Sequence, residues 1–213
     1  MEDKIIIAMI GHTAAGKTTL AKYLSQKLCI PYISEGEYKR KLKSKYSSEN
    51  SMDEDLRDKG YTLAINHCAE LLKENNLVII DASFHKLMRR VWLYEAIKDV
   101  QCATIIWLHC DCPDVDEVRV RLKGRAQSKD KNADNQADQF YIYEYIKATF
   151  DRLDIADFSQ AIGSAIIEIN TADNILTHYH CNDSCNQVLF NKLIGSILPE
   201  YLRAKQSSGG RNG

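Results

Sequence analysis

Short apolar runs alternate with stretches of helical periodicity along most of this chain. Ile5–Ile10 is unbroken and apolar, too short for a helix and rich in β-branched residues, so it predicts a buried strand. From Lys17 the spacing changes, and Leu20, Ala21, Leu24 and Leu28 recur on one helical face. A short extended piece at Pro31–Ser34 leads into a basic helical stretch, Tyr38–Lys43, and Ser47–Glu54 has the composition of a loop. Leu56–Asn75 returns to helical spacing through Leu63, Ile65, Ala69 and Leu72. Leu77–Ile80 is a second buried-strand run, and it ends on Asp81. The pattern then predicts a helix over His85–Asp99, a strand over Ala103–His109 and a helix over Asp114–Lys123, with Pro113 at its start. Lys123–Gln136 is polar and aperiodic. A helix over Ala137–Leu153, a strand over Ala165–Ile169 and a final helix over Asn186–Lys205 complete the reading. Strands alternating with crossover helices predict an α/β fold, a mostly parallel sheet wrapped on both faces.

Composition narrows this picture without changing it. The chain has 213 residues, of which 45% are hydrophobic, enough for a full core without disulfides or structural metals. We expect one domain over 1–205, with a lid over about 123–137 and a disordered tail over 206–213. A formal net charge of -1 gives no global attraction to nucleic acid or membrane. No apolar run reaches the ~20 residues of a membrane span, and the N-terminal run is too short for a secretory signal. Seven cysteines, an odd number scattered through predicted elements, suit a reducing compartment, so a cytoplasmic location is expected.

The richest chemistry lies at residues 11–18, Gly-His-Thr-Ala-Ala-Gly-Lys-Thr. Gly11 and Gly16 bracket four residues, His12, Thr13, Ala14 and Ala15, and Lys17-Thr18 closes the pattern of a phosphate-binding loop. A strand before it and a helix after it would aim backbone N–H groups and a positive helix end at a polyphosphate. Lys17 would bridge the terminal phosphates and the Thr18 hydroxyl would hold Mg²⁺. Asp81 is a second candidate, because ligands of such sheets collect at the carboxyl ends of strands. A carboxylate there can hold a Mg²⁺ water shell or take a proton from an attacking hydroxyl.

Taken in order, the phosphate loop, Val-Ile-Ile-Asp-Ala-Ser-Phe at 78–84, Arg90 and Val-Arg-Val-Arg-Leu-Lys-Gly-Arg at 118–125 form a recognisable series. A later stretch running from Ala137 and Asp138 through Tyr143 and Lys147 to Phe150 extends it. The series resembles the small P-loop kinase family that includes gluconate kinase, chloramphenicol phosphotransferase, zeta-toxin-like kinases and the polynucleotide 5′-kinase domain. That resemblance implies a P-loop NTPase three-layer sandwich, with a five-stranded parallel sheet, helices on both faces and a small polar lid. It also implies phosphoryl transfer from ATP, with Mg²⁺, to a hydroxyl. On this resemblance Gly11 to Thr18, together with Thr19, cradle the ATP phosphates, and Thr18 and Asp81 serve the metal. Arg90 reaches substrate or phosphate. Arg121 and Arg125, four residues apart on one helix face, would clamp the transferring phosphoryl group. Thr171 would border the nucleotide base.

One departure stands out. The family places an acidic pair such as Ser-x-Asp after the second strand, with an arginine three residues on. This chain reads Ser34-Glu35-Gly36-Glu37-Tyr38-Lys39-Arg40, with Gly36 at the aspartate position. Glu35 or Glu37 can supply the carboxylate that chemistry at a hydroxyl requires, and Lys39 or Arg40 the basic partner. Glu35 is favoured. The expected acceptor is a small hydroxylated molecule. A polynucleotide 5′-hydroxyl is the alternative, disfavoured by near-neutral charge and the two glutamates, and a non-catalytic ATP-binding module is a further one. A guanine-reading switch is unsupported, since Asp81 is followed by Ala-Ser-Phe, and Asn170-Thr171-Ala172-Asp173 lacks the lysine of such a motif. The Cys110/Cys112 and His178/His180/Cys181/Cys185 groupings match no common zinc-finger spacing and are read as ordinary surface or partly buried residues.

Overall fold

The computed structural model describes residues 3–46, 54–127, 140–154, 156 and 162–209. Six strands form one sheet in the order β2-β3-β1-β4-β5-β6. They are β1 (Lys4–Ile10), β2 (Tyr32–Ser34), β3 (Leu77–Asp81), β4 (Ala103–Asp111), β5 (Gly163–Asn170) and β6 (Ile175–Cys181). The first five run parallel, as expected, while β6 returns antiparallel on β5, with a bulge between Glu168 and Ile169. This sixth strand corrects the sequence reading. It is an edge strand of mostly half-exposed and exposed residues, so it lacks the continuous apolar run that marks its buried neighbours.

Side-chain alternation along β1 divides the core in two. Ile6, Ala8 and Ile10 face one layer with Tyr61, Ala64, Cys68 and Leu72 of α3 (Glu54–Glu74) and Leu93 and Ile97 of α4 (Leu87–Ile97). Ile5, Ile7 and Met9 face the other, against Leu20, Ala21 and Leu24 of α1 (Lys17–Leu28) and the C-terminal helices. The remaining helices are α2 (Glu35–Tyr46), α5 (Val115–Gln127), α6 (Phe140–Ala148), α7 (Gln187–Lys192) and α8 (Leu198–Gly209), with a π-helical turn over Leu193–Ile197 joining the last two. The layers are helix, sheet and helix.

Several bounds differ from expectation. Helix α5 continues through Gln127, so the first residues assigned to a polar lid are helical. The rest of that lid, 128–137, and the Ala137–Asp138 pair lie outside the described residues. The last helix runs to Gly209, four residues into the expected tail, and 210–213 lie outside the described residues. Among the described residues no helix is long and apolar enough to cross a membrane.

Candidate active site

The carboxyl ends of β1, β3 and β2 converge beside the start of α1. Gly11 leaves β1 with φ 137°, and a Cβ there would stand 2.1 Å from the Cys110 carbonyl oxygen of β4. Only glycine fits so close an approach of two backbones. Its N–H donates to the Ser83 carbonyl at 3.0 Å, which ties the loop to the turn after β3. Ala14 (φ 64°) and Gly16 (φ 84°) also adopt left-handed backbone, bending the loop round into α1. His12 is buried and pins the loop sideways. Its Nδ1 donates to the Thr13 carbonyl at 2.7 Å, and Nε2 lies 3.0 Å from Asp111 Oδ1 at the end of β4. The same ring meets Tyr143 of α6 edge-on at 4.8 Å.

At the centre, Lys17 Nζ donates to the His12 carbonyl at 2.6 Å. Burial lowers its pKa to about 8, against the opposing pull of Asp81; the charges of Arg125 and Glu35 also reach it. Thr18 Oγ1 donates to Asp81 Oδ2 at 2.7 Å, and the Tyr32 hydroxyl donates to the same oxygen at 2.9 Å. Burial and the neighbouring carboxylate hold the Tyr32 phenol above its ordinary pKa, so it remains a donor. Thr18 and Thr19 are exposed at the loop's mouth, next to a cavity of about 480 Å³ between α1 and α8 lined by Lys22, Tyr23 and Tyr201.

Across from Lys17, Glu35 is the first residue of α2. Its Oε1 is buried without a hydrogen-bond partner among the described residues. It lies only 3.1 Å from where a Cβ on Gly60 would stand, so glycine at that point of α3 lets the two helices close around the carboxylate. Glu37 is exposed, and Arg40 folds back along α2 to bring Nη1 3.7 Å from the Cβ position of Gly36. The turn after β3 carries a network the sequence did not suggest. Tyr61 OH accepts from the N–H groups of Ser83 and Phe84 at 3.1 and 3.0 Å and contacts Ser83 Oγ at 2.8 Å. Ser83 Oγ in turn meets His85 Nδ1 at 2.9 Å, and burial drives His85 down to about 3, leaving it neutral.

Two of the expected ligand-facing arginines, Arg90 and Arg121, hold backbone carbonyls in this structure. Arg90 is fully buried, and its guanidinium donates to the carbonyls of Phe84, Asp151 and Arg152 at 2.9–3.1 Å. It fastens the segment after α6 to the turn after β3. Arg121 donates to Glu117 Oε1 (2.8 Å), Ala14 O (3.1 Å), Thr171 Oγ1 (3.0 Å) and Thr171 O (2.7 Å). It braces the phosphate loop against the β5–β6 turn. Thr171 completes that brace, its hydroxyl donating to Asp111 O and its methyl packing 3.6 Å from the Cβ position of Gly16. A charge pattern reveals such cations but not where packing sends them. Tyr32 and Tyr61 escaped notice because their partners, Asp81 and Ser83, are tens of residues away.

Thr18 and Asp81 offer hard oxygen donors at one point, a fit for Mg²⁺, which takes few protein ligands and otherwise keeps phosphate oxygens and waters. Among the described residues no group of three His, Cys, Asp or Glu side chains can hold a metal ion. His178 and His180 instead lie two apart on β6, their ring centroids 5.4 Å apart.

A family model described as an AAA domain matches residues 6–152. No curated protein sequence matches the chain. Solved structures of similar fold include Chaetomium thermophilum Kti12 in complex with ADP-AlF3, with TM-score 0.56 and 17% identity over 90% of this chain and 98% of that one. A fungal RNA kinase aligns with TM-score 0.56 and 13% identity, over 95% of this chain and 91% of its own. A sugar kinase from Janibacter sp. HTCC2649 gives 0.53 and 16%, over 78% and 85%.

Proposed function

We propose that this chain, which belongs to the AAA-domain family and has the fold of the small P-loop kinases, is an ATP-dependent phosphotransferase acting on the hydroxyl of a small molecule. One observation carries the reading. The Lys17 ammonium of the phosphate loop lies within electrostatic reach of Asp81, Glu35 and Arg125 together. The Glu35 carboxylate oxygen among them has no hydrogen bond among the described residues to satisfy it. A buried acceptor atom without a partner is costly unless a ligand supplies the donor.

The backbone N–H groups of Gly11–Thr18 and the start of α1 would hold the polyphosphate. Lys17 and Arg125 would offset the charge on the transferring group, where rate comes from positioning and electrostatics. Thr18 and Asp81 would hold Mg²⁺, which when bound neutralises charge on the phosphate oxygens. Glu35 would accept the proton of the acceptor hydroxyl as its oxygen bonds to the γ-phosphorus and the bond from that phosphorus to ADP breaks. Arg121 and Thr171 keep the loop in shape for this work, and Arg40 stands on the acceptor side.

The test is ADP formation from ATP and Mg²⁺ across pooled sugars, polyols, nucleosides, antibiotics and a 5′-hydroxyl oligonucleotide, with Lys17→Ala as the control. A small-molecule pool is expected to raise the rate well above the acceptor-free rate, and Lys17→Ala to abolish the rise. Stimulation by the oligonucleotide alone would assign the acceptor to nucleic acid, and stimulation by no pool would point to a nucleotide-binding module.

A further inference from the structure

We propose that Tyr32 is a positioning residue for the metal site, acting through Asp81. The inference rests on the nucleotide–metal reading above. Tyr32 opens β2, the strand beside β3, and Ser34 at the other end of β2 pairs in register with Asp81. The Tyr32 side chain packs on the sheet face that α1 covers, so the phenol and the first turn of α1 meet at the same carboxylate. Both hydroxyls end on one atom: Thr18 Oγ1 at 2.7 Å and Tyr32 OH at 2.9 Å from Asp81 Oδ2.

That arrangement sets the plane of the carboxylate. With Oδ2 taking two donors, Oδ1 is the oxygen left to face a cation and its waters. The two donors differ in duty. Thr18 sits in the phosphate loop and must also turn a lone pair to the metal, whereas Tyr32 belongs to the sheet and has no part in the loop. Tyr32 therefore keeps Asp81 aligned whether or not the loop is loaded. Outer partners of this kind govern metal affinity almost as strongly as the ligands they orient, typically by about 10–100-fold.

Mn²⁺ is the probe. Its binding to the ADP complex is followed by electron paramagnetic resonance in the wild type, Tyr32→Phe, Asp81→Asn and the double variant, and ADP affinity is measured in EDTA for each. Tyr32→Phe is expected to weaken Mn²⁺ by about 10-fold or more, leave metal-free ADP affinity unchanged, and cost nothing further in the Asp81→Asn background. Unchanged Mn²⁺ affinity in Tyr32→Phe would overturn the proposal. So would a loss as large with Asp81→Asn as without it, or an equal loss of metal-free ADP affinity, which would assign Tyr32 to the shape of the loop. If wild-type protein binds ADP no better with Mn²⁺ than without it, the nucleotide–metal reading itself fails.

Discussion

Lys17 must be charged to hold phosphate, yet the fold places it where charge is disfavoured. Burial lowers its pKa to about 8, while a bound polyphosphate would raise it again. In the free protein the ammonium is then complete below pH 7 and mostly lost by pH 9. Through Lys17, nucleotide binding should take up a proton above pH 8, an uptake that fades as pH falls below 7. Affinity should fall as pH rises through 8, by up to about tenfold per unit until the bound-state pKa is passed. Calorimetry in buffers of different ionisation enthalpy reads this directly. Lys17→Ala should bind nucleotide weakly and without proton uptake. A binding enthalpy independent of buffer at pH 8.5 would mean that Lys17 does not meet the phosphates. Residues of this kind were legible because their chemistry is local. Gly11 to Thr18 declare a loop by their own spacing, whereas Tyr32 looks like any residue of a short strand until the fold brings Asp81 to it.

Among the elements, α3, α4 and α6 are fastened by a charged cluster instead of by apolar packing alone. Glu54 at the head of α3 bonds Lys86 (2.9 Å), Arg89 (2.5 Å) and Tyr145 (3.0 Å), and fully buried Arg89 also bonds Asp58 (2.8 Å). Burial alone would raise the Glu54 pKa, but these donors outweigh it and hold the carboxyl at about 2. Glu54→Gln leaves the Arg89 guanidinium with a single anion in the interior, so we expect a loss of roughly 3 kcal/mol in urea unfolding at pH 7. A loss below ~1 kcal/mol would place the cluster with ordinary surface ion pairs. The reading of elements from sequence succeeded for the buried strands, whose apolar runs are continuous because helices cover both faces. It failed for β6, whose exposed positions carry Thr, His and Tyr. Nor does a basic residue on a helix give any sign in the sequence that backbone carbonyls await it, as they do Arg90 and Arg121.

In the molecule as a whole, the candidate site joins two halves that come from different parts of the chain. The phosphate loop and Asp81 belong to the central strands, and Glu35 belongs to α2, packed on α3 through Gly60. The first half was written plainly in the sequence. The second was only suggested there, because Gly36 stands where a family aspartate would be and two glutamates, Glu35 and Glu37, could supply the carboxylate. The structure buries the Glu35 oxygen and leaves Glu37 exposed. The most direct measurement compares acceptor-stimulated with acceptor-free ADP formation in Glu35→Gln, using the stimulating pool found with wild-type protein, alongside ADP affinity. Glu35→Gln should lose stimulation by about 10²-fold or more while ADP binds as before. Stimulation that survives in Glu35→Gln and disappears in Glu37→Gln would contradict the account and move the acceptor site to the exposed side of α2.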